Sequence, residues 1–378
     1  MKTWSKIALI YLVLVGVIGL LLRYSFLGAT GFIFQYLKHA HSHVAFLGWV
    51  FNALFVLIIH NSISNSTSIK WQFYLFQISI VGMMISFPLQ GYGAMSIAFS
   101  TTHIFISVWF YFSVINRLND SDRGMRWVKI GGFYMLISNI GPLMLAPIMI
   151  LDLRDSFLYQ YSLQHYLHFQ YNGWFITTII GLLVKYFNPK LNERPLLLLL
   201  AWSTIPLLFL SVELIESNLI YRLIGGAAAI AQVIGSVWLA KALSKALSHE
   251  SAFMRSAIVT GLVFFIIKCL AQLTVVFPAL SADFIQSHNA VIGYLHLIFL
   301  GVITNLLIIL FFKASFINKS ALSKVGFWLF NLGSITMILI LIFSPLRIVQ
   351  PYFLNLFLSA CLIVLGMITL SVRRLVSW

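Results

Sequence analysis

Charged side chains are scarce in this sequence, since only 9% of its 378 residues are Asp, Glu, Lys or Arg. An ordinary soluble protein carries roughly 25%. A surface with so few charges would not stay dissolved in water, so the composition excludes a soluble fold and predicts a lipid environment. Cysteine is equally scarce. Cys269 and Cys361 both fall in apolar runs and there is no Cys-x-x-Cys-His motif, which excludes a disulfide framework and covalent haem attachment.

Long apolar runs are abundant, and hydrophobic residues make up 61% of the chain. Crossing a bilayer takes about 20 such residues in a helix. Twelve runs of this kind, joined by short loops, predict an all-α polytopic membrane protein of about twelve transmembrane helices, with residues 1–378 as a single integral membrane domain. The predicted spans are 5–23, 38–60, 71–90, 94–115, 127–150, 162–186, 194–213, 220–243, 253–276, 286–312, 322–345 and 351–375.

The net charge of +15 invites a nucleic-acid interpretation, but the positions of the charges argue against it. Of the 24 Lys and Arg residues, eighteen fall at one face of the predicted bundle, five at the other, and Lys268 within a span. Cytoplasmic loops of membrane proteins are enriched in Lys and Arg. The asymmetry therefore predicts that both termini are cytoplasmic and that the basic residues serve membrane topology. A lipid bilayer is the predicted partner, and nucleic acid is not.

A spacing recurs in the even-numbered spans, where a histidine is followed six residues later by a tryptophan. The pairs are His43 and Trp49, His103 and Trp109, and His168 and Trp174; Gln232 with Trp238 and His296 with Val302 are related positions. Chance would give fewer than one His-x5-Trp pair in this composition. The pattern predicts a repeated helix-hairpin unit whose copies direct equivalent side chains to a common interior.

Further histidines gather at the predicted outer ends of the same spans. His39 and His41 precede His43, His165 precedes His168, and His288 precedes His296. Polar side chains in a bilayer are costly and usually face a functional interior, and neutral imidazole is a common metal ligand. Haem or metal ligation is therefore one interpretation, and ordinary interhelical hydrogen bonding is the other. The buried amine of Lys268 has the same two interpretations, proton movement or a structural hydrogen bond.

These features resemble a known family. The segment from His39 to Trp49 resembles the start of the second helix in subunit I of the haem-copper oxidases and the related nitric oxide reductases. The segment from Tyr166 to Trp174 resembles the sixth helix of the C-type oxidases. The eight-residue interval from His288 to His296 resembles the interval that precedes the tenth-helix haem ligand in the haem-copper oxidases. The tenth-span stretch is also similar to that of NnrS-type membrane proteins, haem-copper relatives linked to nitric oxide stress.

The resemblance implies non-covalent haem b with His43 and His296 as axial ligands, in a protein of the bacterial inner membrane with a small gaseous or redox ligand. It implies a second metal position, of copper or zinc, drawn from His41, His103, His165 and His168. Two departures argue against a complete oxygen reductase. Span seven has no histidine pair, and position 298 is Ile where the family has a second tenth-helix histidine. Whether the protein is a divergent oxidoreductase, and whether partner subunits exist, is left open.

The alternative from a different functional class is a histidine-lined transporter or metal-handling permease, because twelve spans also suit carriers. The short loop between spans six and seven and the lack of an intramembrane acid disfavour it. A visible absorption spectrum separates the two hypotheses.

Overall fold

A computed structural model describes residues 1–62, 67–346 and 350–376, and for 280, 281, 283 and 373–376 it describes the backbone alone. The described chain is helical without strands, which confirms the all-α prediction of about twelve spans. Eight spans are single α-helices, numbered here by their order in the chain. They are span 1 (Lys2–Tyr24), span 3 (Thr67–Gln90), span 4 (Ala94–Ser113), span 5 (Arg123–Ile150), span 8 (Leu219–Ala246), span 9 (Ala252–Leu273), span 11 (Ala321–Ile342) and span 12 (Tyr352–Val376).

The other four spans contain a π-helical segment between two α-helices. Span 2 consists of Phe34–His43, the π-helix Val44–Phe51 and Asn52–Asn61, and span 6 of Phe157–His168, the π-helix Phe169–Ile176 and Thr177–Phe187. Span 7 consists of Glu193–Leu197, the π-helix Leu198–Trp202 and Thr204–Glu213; span 10 of His288–His296, the π-helix Leu297–Thr304 and Asn305–Lys313. A short helix, Pro278–Gln286, lies in the predicted loop before span 10.

Eleven helices among the described residues are long and apolar enough to cross a membrane. Span 6 is as long as the others, but polar residues lie both before its π-helix and within it, which lowers its mean hydropathy. They include His165, His168, Gln170 and Asn172. The outward faces of the helices are apolar. On span 3, for example, Ile78, Ile85 and Leu89 are 60%, 57% and 74% exposed and lie on one side of the helix. Lipid is the solvent that such a surface requires.

The helices pack as two units, which are described separately. Unit 1 comprises residues Met1–Ile106 and Phe284–Trp378, with spans 1 to 3, most of span 4, and spans 10 to 12. Spans 2 and 10 form its core: 78% of their most apolar stretch is buried, compared with 39% for span 1 and 44% for span 12. Spans 11 and 12 approach so closely that a methyl group on Gly366 would lie 2.4 Å from the Phe330 backbone nitrogen. Small residues allow this close packing in membranes.

Unit 2 comprises Ser107–Asp283, with spans 5 to 9. Span 5 packs along span 6, where Gly124 and Gly181 face each other: a methyl on either one would lie 2.6 Å from the carbonyl oxygen of the other. Spans 7, 8 and 9 follow as neighbours in the order of the chain. The single-domain interpretation and the cytoplasmic placement of the termini stay predictions. Arg347, which the charge count assigns to the outer face, lies outside the described residues.

Candidate cofactor site

Three of the four π-helices of the described chain begin directly after a histidine of the repeated pattern. His43, His168 and His296 are each the last residue of an α-helix, and an eight-residue π-helix begins at the next position. Spans 4 and 8, which carry His103 and Gln232 at the related positions, have no π-helix there. π-Helical segments are rare and occur frequently at functional sites. The backbone therefore sets three of the five repeated positions apart from the other two.

His43 is held in one orientation by its own helix. Its Nδ1 donates to the carbonyl oxygen of His39 at 2.9 Å. The ring stacks on Phe87 with 4.1 Å between ring centroids, and Tyr92 meets it edge-on at 5.9 Å. Because Nδ1 carries the proton in this arrangement, the lone pair lies on Nε2, which has no hydrogen-bond partner among the described residues. The His43 residue as a whole is half-buried.

His296 repeats this arrangement on span 10. Its Nδ1 donates to the carbonyl oxygen of Ile292 at 2.8 Å, four residues earlier, and the ring is half-buried. Within the described chain its Nε2 has no hydrogen-bond partner either. In histidines that bind metals, the other ring nitrogen usually donates a hydrogen bond of this kind, which fixes the tautomer and the ring orientation. In both histidines the backbone therefore binds Nδ1, and Nε2 has no hydrogen-bond partner in the described chain.

Spans 2 and 10 contact each other immediately beyond these two histidines. Phe46 and Phe299, each three residues after its histidine, stack with 4.3 Å between centroids and 19° between ring planes. Further along, the buried Trp49 Nε1 donates to Thr304 Oγ1 at 3.0 Å. Of these two contacts, the one between Phe46 and Phe299 joins equivalent positions of the repeat. His43 and His296 therefore lie on neighbouring helices of unit 1.

His41 belongs to a different surface of span 2, which faces span 1. A methyl on Gly19 would lie 2.9 Å from the His41 Cε1, so the ring rests directly against that glycine. The buried Nδ1 of His41 has no hydrogen-bond partner among the described residues. Arg23, which is half-buried at the end of span 1, interacts electrostatically with both His41 and His296, and those two histidines interact with each other. A single cation therefore acts on both.

His103 is the most enclosed histidine of unit 1, with 3% of its surface exposed. Phe51 and Phe76 surround its ring, with centroids 4.9 and 4.8 Å away. Its Nε2 is buried without a hydrogen-bond partner in the described chain. His103 interacts electrostatically with His43, which places spans 2 and 4 near each other at this level. A buried imidazole nitrogen in an aromatic enclosure is a second feature that a ligand would satisfy.

The two histidines of span 6 lie in unit 2 and make other contacts. His168 Nε2 donates to the Thr204 carbonyl oxygen at 2.8 Å, and its Nδ1 accepts from Asn172 Nδ2 at 3.3 Å, so the protein itself occupies both nitrogens. His165 Nε2 donates to the carbonyl oxygen of Ile137 at 3.0 Å, and its Nδ1 is buried without a partner among the described residues. His168 is therefore a poorer ligand here than His43 or His296.

No group of three or more His, Cys, Asp or Glu side chains in the described ranges is arranged to hold a metal ion. Of the four residues predicted for the second metal position, His41 and His103 lie in unit 1, and His165 and His168 lie in unit 2. The second metal position stays a prediction. So does the meeting of His43, His103, His168 and His296 in one interior region, because the four residues are divided between the units.

The π-helices are the feature that the sequence analysis did not predict, although a signal for them exists. Gly48, Gly173 and Gly301 occupy the fifth position after the histidine in the three spans with an eight-residue π-helix. Asn52, Thr177 and Asn305, all polar and buried, occupy the ninth position. The corresponding fifth residues of spans 4 and 8 are Val108 and Val237. The glycine thus distinguishes the π-helical copies of the repeat from the α-helical copies.

Neither the models of known protein families nor the curated proteins give a match to this chain. The resemblance to the haem-copper oxidases and to the NnrS-type proteins stays a prediction. The site must be interpreted from its own geometry.

Proposed function

We propose that this is a haem-binding integral membrane protein, in which His43 and His296 are the axial ligands of a non-covalently held haem b. One observation carries the proposal. The two histidines occupy the same position before matching π-helices on adjacent spans, and each donates Nδ1 to a backbone carbonyl while Nε2 has no protein partner within the described chain. Two independent copies of one ligand geometry in the same unit favour a shared cofactor over separate structural hydrogen bonds.

The surroundings suit a large aromatic ligand. Phe87 and Tyr92 lie against His43, and the Phe46–Phe299 stack lies one turn beyond the histidines. Arg23 supplies a positive charge near His296, where the carboxylates of haem would find a counter-ion. A haem held by both His43 and His296 would serve electron transfer or haem retention more than gas chemistry. The residues of this chain would orient the cofactor and exclude water from it.

The test is a reduced-minus-oxidised absorption spectrum, with haem quantified per chain, on protein purified from a haem-replete host. Wild type should show a Soret band and b-type α-band, and His43→Ala and His296→Ala should each lose most of the haem. His60→Ala is the matched control, because His60 lies in the same span 2, is exposed, and packs beside Phe316 away from the site. Wild type without a Soret band would refute the assignment and favour the transporter alternative. If both variants retain haem, the haem ligands are instead His41 and His103.

A further inference from the structure

Three basic side chains lie exposed at one end of spans 7 and 8 in unit 2. Arg194 is the second residue of span 7, and Lys241 and Lys245 lie in the last two turns of span 8. The two lysines are four residues apart, so they share a face of their helix. No carboxylate of the described chain forms an ion pair with any of the three. Their positive charges are therefore not neutralised by the protein described here.

The packing of span 7 on span 8 brings these residues to the same end of the pair. A methyl on Gly235 would lie 2.7 Å from Leu200 Cγ, so these two residues mark one level of the two antiparallel helices. Arg194 and Lys241 each lie six residues from that level toward the same end. The first helix of span 7, Glu193–Leu197, also contacts span 8 directly. The guanidinium and the two ammonium groups therefore belong to one surface.

At the same end of unit 2, the basic residues of spans 5 and 6 have carboxylate partners. The ion pairs there are Arg126–Glu193, Lys129–Asp120 and Lys185–Asp122. Glu193, which precedes Arg194 in the chain, is 9% exposed and is bound to span 5, so it does not neutralise Arg194. Membrane topology accounts for basic residues at this end of the helices. It does not account for the lack of carboxylate partners at Arg194, Lys241 and Lys245.

Apolar side chains continue from the basic surface along both spans. Leu198, one turn after Arg194, is 63% exposed, and Ile234, seven residues before Lys241, is 54% exposed. Residues four or seven apart lie on the same face of a helix. Arg194 and Lys241 therefore stand at the polar ends of faces that are otherwise apolar. A positive end above an apolar face is complementary to a phospholipid with a negative headgroup.

We propose that Arg194, Lys241 and Lys245 bind the headgroup of an anionic phospholipid, whose acyl chains lie along the exposed apolar side chains of spans 7 and 8. The lipid phosphate would accept charge-assisted hydrogen bonds from the guanidinium and the two ammonium groups. Clusters of basic residues at the ends of membrane helices attract anionic lipids. The lipid thus supplies the negative charge that carboxylates supply at spans 5 and 6.

Native mass spectrometry of the purified, delipidated full-length protein tests the site. The protein is titrated with phosphatidylglycerol or with phosphatidylcholine of the same acyl chains. Wild type should bind the first phosphatidylglycerol at least tenfold more tightly than phosphatidylcholine. The triple variant Arg194→Gln, Lys241→Gln, Lys245→Gln should lose this preference and bind phosphatidylcholine as wild type does. Lys70→Gln is the matched control, because Lys70 is an exposed lysine of span 3 in unit 1, and it should keep the preference.

Two further measurements keep the test decisive. If the triple variant does not fold, Arg194→Gln alone should lower the preference severalfold. Inorganic phosphate should not displace phosphatidylglycerol, because it lacks the acyl chains. The proposal is overturned if wild type binds both lipids equally, if a folded variant of the three residues keeps the full preference, or if inorganic phosphate displaces the lipid. None of these outcomes depends on whether the histidines of unit 1 hold haem.

Discussion

His43 and His296 in unit 1 and His168 in unit 2 occupy the same place in the backbone, but they differ in what their nitrogens bind. Each precedes an eight-residue π-helix. In unit 1 the carbonyl oxygen four residues earlier accepts a hydrogen bond from Nδ1, and Nε2 has no partner in the described chain. In unit 2 the carbonyl oxygen of Thr204 on span 7 accepts a hydrogen bond from Nε2. One repeated motif thus leaves Nε2 without a hydrogen-bond partner in the described chain in two copies and gives it a protein partner in the third.

The difference follows from the neighbours of each span. Span 6 packs beside span 7, which places the Thr204 carbonyl within reach of His168. Span 2 and span 10 face each other through Phe46 and Phe299 and through Trp49 and Thr304, and neither contact occupies the histidine nitrogens. A repeat can therefore preserve a backbone feature while the packing of each copy decides whether its histidine is available.

The largest expected effect is on haem content. His43→Ala and His296→Ala should each lower the affinity for haem, and with it the haem bound per chain. The loss of affinity should exceed the roughly 10–100-fold that a metal site loses when an outer-shell partner is removed. His168→Ala should leave haem content unchanged, because its nitrogens already bind Thr204 and Asn172. Pyridine haemochrome assay of the purified variants measures this. Loss of haem in His168→Ala would mean that the two units do not differ in the proposed way.

The next effect concerns the contact between spans 2 and 10. Thr304→Val keeps the side-chain shape but leaves the buried Trp49 N–H without its acceptor, which should cost about 1–3 kcal/mol of stability. Haem retention should fall with it, because this contact holds the two ligand-bearing helices together. Thermal unfolding in detergent and haem release on dilution measure the two effects.

The matched variant for that contact lies in unit 2. Thr177→Val, just after the π-helix of span 6, removes only a long 3.4 Å bond to the Asn172 carbonyl of the same helix. It should cost less than about 1 kcal/mol and should not change haem retention. Equal losses in the two variants would show that the span 2–span 10 contact has no special role.

An effect of similar size to that of Thr304→Val is expected where span 1 packs against His41. Gly19→Ala places a methyl 2.9 Å from the His41 Cε1, so the ring must move, at a cost of about 1–3 kcal/mol when packing is forced. Because His41 and His296 interact electrostatically, the haem midpoint potential should shift as well. Gly16→Ala on the same span is the control. It meets the end of the Met367 side chain, which can rearrange, so the potential should stay at the wild-type value.

The sequence predicts the helices well because membrane helices are specified by hydropathy along the chain. Hydropathy predicts span 5 at 127–150, and this helix runs over Arg123–Ile150. It predicts span 9 at 253–276, and this helix runs over Ala252–Leu273. The π-helices were missed because a hydropathy window averages over the extra residue that each inserts. The sequence also does not predict which nitrogen of His168 carries the proton. It depends on Thr204, which lies 36 residues away in the chain and reaches His168 only through the packing of spans 6 and 7.

A comparably small effect concerns the hydrogen bond between Asn172 and the second nitrogen of His168. Asn172 Nδ2 donates to His168 Nδ1 at 3.3 Å, a long bond between neutral groups. Asn172→Ala should therefore cost about 1 kcal/mol, the net contribution of an ordinary hydrogen bond, and chemical unfolding monitored by tryptophan fluorescence measures it. Haem content should not change, because the Thr204 carbonyl still holds the proton on Nε2 of His168. A rise in haem content would contradict the comparison, since it would show that Asn172 alone keeps His168 from acting as a ligand.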